Sequence, residues 1–398
     1  MLLAFLLLWA QLSVTPCTVA VVSGKVTLDG CPLLWKNRDT SAVNNKIAYF
    51  QGEKYTFIGL ITAGHKPVQS VWAGINTQGF AIINSASSDL AESEKSGRDN
   101  GRFMKKALGQ CGDVADFEKL LQKTKGKRQV SSNYGVIDAY GNACFFETSN
   151  TDYAKFDADN PRVAPNGYIV HTNFAYTSPI ENGGGGYIRF ERVSRLFQNA
   201  SAEKRLNVRF ILQDAARDLV NQKLHSYPLT DPPAGHASPV YINTNDTINR
   251  NSTVSVAVFR GPPNPQKTYL STMWILLGQG VCTSAVPLWP HAQAIPDVLG
   301  GEVKAPMNQL AQRIRDYLYP DQRGHMREYL HLDRFLNYKE NGVLGELLSI
   351  ENEVLARTQE RLKEWEKEKP RKEAMFAFEE RMANWVYTSL IDAFPFVD

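Results

Sequence analysis

The chain has 398 residues, of which 43% are apolar and 21% charged, and a formal net charge of +3. It is long enough to bury a large core as one big domain or two ordinary ones, and too apolar to stay disordered. No basic block occurs in the first two thirds, which argues against nucleic-acid binding.

The apolar run Leu2 to Ala10 has the length of an export signal and is too short to span a bilayer. We therefore expect residues 1–16 to be removed as a signal or pro segment, and the protein to be secreted or periplasmic with no stable membrane span. Two features depart from a standard signal: no Lys or Arg precedes the run, and Pro16 stands directly before Cys17. The final trimming to Cys17 is accordingly read as a candidate for self-cleavage.

From residue 17 to about 100 the pattern predicts short strands broken by turns. Val19 to Val22, Leu33 to Trp35, Tyr55 to Leu60, Val71 to Ile75 and Ala81 to Ile83 read this way, the last after the turn Gln78-Gly79. A helix is predicted from Val114 to about Lys123, capped by Asp113. Two strands flank the turn Ala139 to Asn142, and Tyr168 to His171 reads as another. Gly183 to Gly186 leads into a helical segment through Ile188, Val193 and Leu196, and a longer helix is predicted over roughly Glu203 to Leu224. Residues 226–250 read as loop. Strands return at Thr253 to Phe259 and Thr272 to Leu277. From about 306 onward only helix is predicted, with Leu347 to Lys369 broken by Pro370 from a last helix ending near Phe394. The pattern implies an α+β fold of two packed sheets with outer helices over 17–300, and a helical C-terminal extension over 301–398, the candidate surface for homo-oligomer formation.

Cys17 carries the chemistry. If the chain begins there, one residue supplies a thiol and a free α-amine that titrates near ~7.7–8.0, a built-in general base for a nucleophile. None of the other cysteines, Cys31, Cys111, Cys144 and Cys282, forms a CxxC pair, so they default to small buried hydrophobes and give no support to a metal site.

Cys17-Thr18 before an apolar strand and a Gly turn, then Lys36-Asn37-Arg38-Asp39, resembles the choloylglycine hydrolase and acyl-coenzyme A:6-aminopenicillanic acid acyltransferase group of N-terminal-nucleophile (Ntn) hydrolases. The likeness covers roughly residues 17–280 and implies a four-layer αββα sandwich that hydrolyses or transfers linear amides without metal or organic cofactor. Position by position, it implies Cys17 as nucleophile, Asp39 as the carboxylate that orients the amine, and Asn84 and Asn173 as oxyanion donors. Arg189 is implied as a cation near the nucleophile. Lys36 falls where the group has an arginine, whose planar fork a lysine cannot reproduce. Arg38, adjacent to Asp39, is expected on the opposite face of a strand in a mainly structural role. Asn76 is expected to be a turn residue and His171 a structural or substrate-lining one.

Each residue alone also has an ordinary reading. An Asn at a strand end is commonly a turn or cap residue, and an Asp after Arg in a loop is commonly a surface pair. The ordered set of leader, Cys-Thr, Lys-Asn-Arg-Asp, Asn84, Asn173 and Arg189 carries the inference. The reading is an exported cysteine hydrolase or acyltransferase acting on a small-molecule amide through a thioester, of the EC 3.5.1 kind. The alternatives are a non-catalytic exported binding protein, or a lipoprotein, on the same fold. Pocket loops are expected in 40–70, 85–110 and 226–250.

Overall fold

The computed structural model describes residues 16–64, 67–90, 99–221, 223–224, 239–337 and 342–397. The leader and parts of the three expected pocket loops lie outside the described residues.

Two antiparallel sheets carry the fold. The first has six strands in the order β10-β1-β2-β12-β13-β14: Tyr168–His171, Cys17–Val22, Leu33–Asp39, Thr253–Arg260, Thr272–Leu276 and Val286–Leu288. The second is a seven-stranded meander from β3 to β9: Asn45–Gln51, Thr56–Thr62, Ala73–Asn76, Ala81–Ala86, Ser132–Ile137, Ala143–Thr148 and Tyr153–Asp157. Strands β1 and β2 pack face to face on β6 and β7. Every residue of β1 and β2 is buried, which explains the near-continuous apolar run at Val19 to Val22.

Helices α1 (Asn100–Gln110) and α2 (Val114–Lys123) cover the outer face of the seven-stranded sheet through Phe103, Phe117 and Leu121. Asp113 caps α2 as expected, its side chain accepting from Asp116 N at 2.8 Å. Helix α3 (Tyr187–Ala202) covers the outer face of the six-stranded sheet, where Phe197 stacks on Trp35 at 5.8 Å. The result is the expected αββα order.

Three elements differ from expectation. The predicted helix over 203–224 is instead a turn followed by one π-helical segment, Phe210–Ala215. Lys204 takes a left-handed φ of 52° that ends the helical path. The apolar density that suggested a long helix reflects complete burial of Phe210, Ile211, Leu212, Ala215 and Ala216, not an amphipathic face. Helix α1 was not legible because Gly101 and Gly109 lower its propensity and Asp99 makes no side-chain cap bond. Gly109 packs closely on the facing loop: a Cβ there would lie 3.1 Å from the Gly52 Cα. Finally, the segment beyond 306 is not purely helical, because Tyr329–His331 forms a strand (β15) with Tyr241–Asn243 (β11).

The C-terminal helices α4 (Pro306–Leu318), α5 (Leu332–Leu336), α6 (Val343–Lys367) and α7 (Lys372–Ala393) share the main core, which runs from Cys17 to Phe394. A buried bidentate pair ties α6 to the sandwich: Arg217 donates to both Glu351 oxygens at 2.7 and 2.8 Å. Cys31, Cys111, Cys144 and Cys282 are buried free thiols, and burial pushes the Cys111 and Cys144 thiols up to about 12. No described helix is long and apolar enough to cross a membrane.

Candidate active site

Cys17 is the first residue of β1 and stands opposite Arg38 of β2. Directly opposed residues of an antiparallel pair point to the same side. Cys17, Lys36 and Arg38 therefore face the seven-stranded sheet, where Lys36 reaches Asn84 and Arg38 reaches Thr62. Thr18, Asn37 and Asp39 face the helices, where Thr18 meets Arg189 and Asn37 reaches the Ala216 carbonyl. The expected opposition of Arg38 and Asp39 is present. Arg38 lies close enough to Cys17 for the Cys17 charge to act on its guanidinium.

On the helix side, the β1–β10 ladder ends at Val19 opposite His171; two further steps would set Cys17 opposite Asn173. The chain departs there. The Asn173 backbone pairs with Gly185, donating at 3.1 Å and accepting at 2.9 Å. Its side chain is thereby turned to the strand end, where Asn173 Oδ1 accepts from Cys17 N at 2.8 Å and Asn173 Nδ2 donates to the Ala86 carbonyl at 2.8 Å. The Gly run has a physical reason: Gly186 is left-handed at φ 84°, and a Cβ there would sit 2.5 Å from Arg189 Nη2.

Arg189, near the start of α3 and 1% exposed, holds three oxygens of this end. Nη1 donates to the Cys17 carbonyl at 2.7 Å and to Thr18 Oγ1 at 2.8 Å, and Nη2 donates to Asn173 Oδ1 at 2.9 Å. Asp39 lies on the same face. Its Oδ1 accepts from Thr253 Oγ1 at 2.7 Å, while its buried Oδ2 has no hydrogen-bond partner among the described residues. Asp39 is the residue after Arg38, the partner of Cys17, and it pairs on its other side with Thr253 of β12. Burial pushes the Asp39 carboxyl up to about 6 against the opposing charges of Arg250 and Arg189.

On the other face, Lys36 crosses between the sheets. Its Nζ donates to Asn84 Oδ1 at 2.7 Å and to the Trp72 carbonyl at 3.0 Å. Asn84 on β6 in turn donates from Nδ2 to Ser132 Oγ at 2.9 Å. Arg38 donates to Asn45 Oδ1 and, at 3.1 Å, to Thr62 Oγ1, with its guanidinium 5.0 Å from the Trp72 ring centroid.

Tertiary structure thus brings Cys17, Asp39, Asn173, Arg189, Lys36 and Asn84 to one end of the sandwich. Asn76 is a turn residue, its Oδ1 accepting from Gln78 N and Phe80 N. His171 is buried, 3.3 Å from Glu147. Glu147 also accepts from Thr177 N at 3.0 Å and Thr177 Oγ1 at 2.6 Å, tying the segment after Asn173 to β8. Sequence reasoning missed Glu147, Thr253 and Arg250, whose charge acts on both Asp39 and Arg189. Nothing in their local sequence marks them, since their partners lie far away in the chain. Among the described residues no His, Cys, Asp and Glu cluster could hold a metal ion.

No curated protein matches the chain. Solved structures similar to it include the Caenorhabditis elegans ortholog of N-acylethanolamine-hydrolyzing acid amidase, at 14% identity and a TM-score of 0.38 over 65% of this chain and 100% of that one. A mutant conjugated bile acid hydrolase from Clostridium perfringens gives 13% and 0.40 over 69% and 92%. Penicillin V acylase from Agrobacterium tumefaciens gives 13% and 0.37 over 69% and 86%. The family pattern of acyl-coenzyme A:6-aminopenicillanic acid acyl-transferase matches residues 26–231, a span that begins after Cys17 and contains Lys36, Asp39, Asn84, Asn173 and Arg189. Over half of its length, then, the chain belongs to the acyl-coenzyme A:6-aminopenicillanic acid acyl-transferase family and is an amide hydrolase or acyltransferase of the Ntn kind.

Proposed function

We propose that Cys17, made N-terminal by removal of residues 1–16 on export, is the nucleophile of a linear-amide hydrolase or acyltransferase. The observation that carries this reading is the environment of its nitrogen. Asn173 Oδ1 accepts from it, and on the neighbouring strand the buried Asp39 Oδ2 has no hydrogen-bond partner among the described residues. The single N–H of a backbone amide is already given to Asn173, whereas a terminal amine has two or three N–H groups and can serve a second acceptor.

The steps follow from the positions. The Cys17 thiol gives its proton to its own α-amine, and the sulfur forms a C–S bond with the amide carbon. The amide nitrogens of Asn173 and Asn84, fixed by the Ala86 carbonyl and Ser132 Oγ, are the donors for the oxyanion. Collapse breaks the C–N bond, and the amine proton passes to the leaving nitrogen. Water, or a second amine in a transferase, then attacks the thioester and releases the acyl group. Arg189 holds the Cys17 carbonyl and Asn173 in place throughout.

The test uses chains that start at position 17. Cys17→Ala and Cys17→Ser should abolish turnover across a panel of linear amides, and the wild type should show an acyl mass increment on Cys17 when quenched. Turnover retained by Cys17→Ala would overturn the reading. Intact mass of protein recovered from an exporting host should give an N-terminus at Cys17.

A further inference from the structure

Strand β12 is irregular where it passes Asp39. From Arg260 down to Ser255 it pairs with β2 in one register, with Val256 opposite Asn37 and Ser255 opposite Arg38. The next step of that register would set Val254 opposite Asp39. Instead the register shifts between Thr253 and Ser255, and Thr253 stands there. A bulge of this kind re-aims a side chain, and here it puts a hydroxyl where an isopropyl group would have met a buried carboxylate. The direction of that hydroxyl follows from its two partners. Thr253 Oγ1 accepts from Arg250 N at 3.0 Å, a group that can only donate, so its own proton is left for Asp39 Oδ1 at 2.7 Å. A return bond from Thr253 N to the Arg250 carbonyl, at 2.9 Å, closes the turn and fixes the hydroxyl in place. Thr253 and Asp39 are both buried.

Resting on the Cys17 reading above, we infer that Thr253 is a positioning residue of the same reaction: by occupying Asp39 Oδ1 it leaves Oδ2, which has no partner among the described residues, as the oxygen that receives the Cys17 amine. A carboxylate pinned at one oxygen cannot turn about its own bond, so the free oxygen keeps one direction. Thr253 forms and breaks no covalent bond, and its proton stays on Oγ1 throughout. The same bond favours the ionised carboxyl, the form that can accept from an ammonium. Burial pushes the Asp39 carboxyl up to about 6. The charges of Arg250 ahead of β12 and Arg189 on α3 oppose this, followed by the Thr253 hydroxyl and the charge of Lys36 on β2. Arg38, the neighbour of Asp39 on β2, also feels its charge. Removing the hydroxyl takes away a neutral donor and leaves every one of these charges in place, so its effect can be read separately from theirs.

The experiment compares kcat/KM from about pH 4 to 8 for wild type, Thr253→Val and Thr253→Ser, in chains running from Cys17 to Asp398 and with a linear amide that the wild type turns over. Wild type should rise through about 6. Thr253→Val keeps the shape and loses the hydroxyl, so its rise should move up by about one pH unit and kcat/KM on the acid side should fall about tenfold, the effect of one hydrogen bond to a charged group. Thr253→Ser keeps the hydroxyl and should keep the rise where it is. A rise that stays in place in Thr253→Val, whatever its rate, or one that moves as far in Thr253→Ser, overturns the inference. Should Thr253→Val not fold, Thr253→Cys decides instead: a thiol donates weakly, so the rise must still move up, and an unmoved rise overturns the inference. Alkylating wild type with iodoacetamide and locating the label separates the two levels. Turnover that survives full labelling of Cys17 removes the nucleophile reading and the inference with it, whereas turnover lost on labelling upholds that reading and leaves the pH profiles to decide on Thr253 alone.

Discussion

Asn173 Oδ1 accepts a 2.8 Å hydrogen bond from the nitrogen of Cys17, a residue 156 positions away in the chain. The same oxygen takes Arg189 Nη2 at 2.9 Å, so a single amide carbonyl links the strand start, the β10 end and the α3 start. The register brings the two residues near each other, since two more steps of the β1–β10 ladder would place Asn173 opposite Cys17, and the Gly185 pairing then turns the Asn173 side chain to the strand end.

Replacing Asn173 with Ala removes both bonds and the oxyanion donor proposed above together. The expected loss in kcat is about 10²–10³-fold, the usual cost of one preorganised donor. Steady-state kinetics with a linear amide checks it, with thermal unfolding as the control for folding.

Asp39 predicts two opposite pH effects. Its folded-state value lies near 6, above the ordinary 3.8, so its contribution to stability is fully present below about 4 and is lost as pH rises through about 6. Asp39→Asn should remove about 2–3 kcal/mol of that pH dependence, read from urea unfolding at pH 4 and 7. In the proposed mechanism turnover needs the carboxylate, so wild-type kcat/KM should rise with pH through about 6, and Asp39→Asn should lose that rise along with most of its rate.

Lys36→Met should make the protein more stable. The Lys36 value is lowered, so its stabilising contribution belongs to pH above 10.5 and is lost as pH falls through about 8. At pH 7 the buried ammonium costs on the order of 1–3 kcal/mol, which an apolar side chain of similar length avoids. A lower melting temperature for Lys36→Met at pH 7 would contradict this.

Glu351→Ala leaves Arg217 charged and buried among the Gly280, Leu212 and Thr283 carbonyls. Breaking such a pair costs about 3–5 kcal/mol. Glu351 also accepts from Ala285 N at 3.0 Å, so the loss should loosen α6 from the sandwich as well. Denaturant unfolding measures the first effect, and hydrogen exchange along α6 the second.

Much of the fold was legible in the sequence. Strands β1 and β10, helix α2 and the break at Pro370 follow from local period and turn chemistry. Helix α1 was not, because its stability lies in glycine-permitted packing instead of propensity, and the π-helical segment was misread because full burial imitates helical patterning.

For the site, the sequence by itself determined the residue types: a cysteine after an apolar run, an aspartate close behind, two asparagines and an arginine after a Gly run. Those are local matters of spacing and turn chemistry. Only the tertiary structure decided which side of the strand each one serves. The strand period sends Asp39 to the amine side and Lys36 and Arg38 to the sulfur side, a split visible only once β2 is paired with β1. Long-range contacts likewise chose Arg250 and Thr253 as partners of Asp39 and gave Lys36 two neutral oxygens, of Asn84 and Trp72. Burial, which no single position records, turned an ordinary aspartate and an ordinary lysine into groups that titrate near neutral pH.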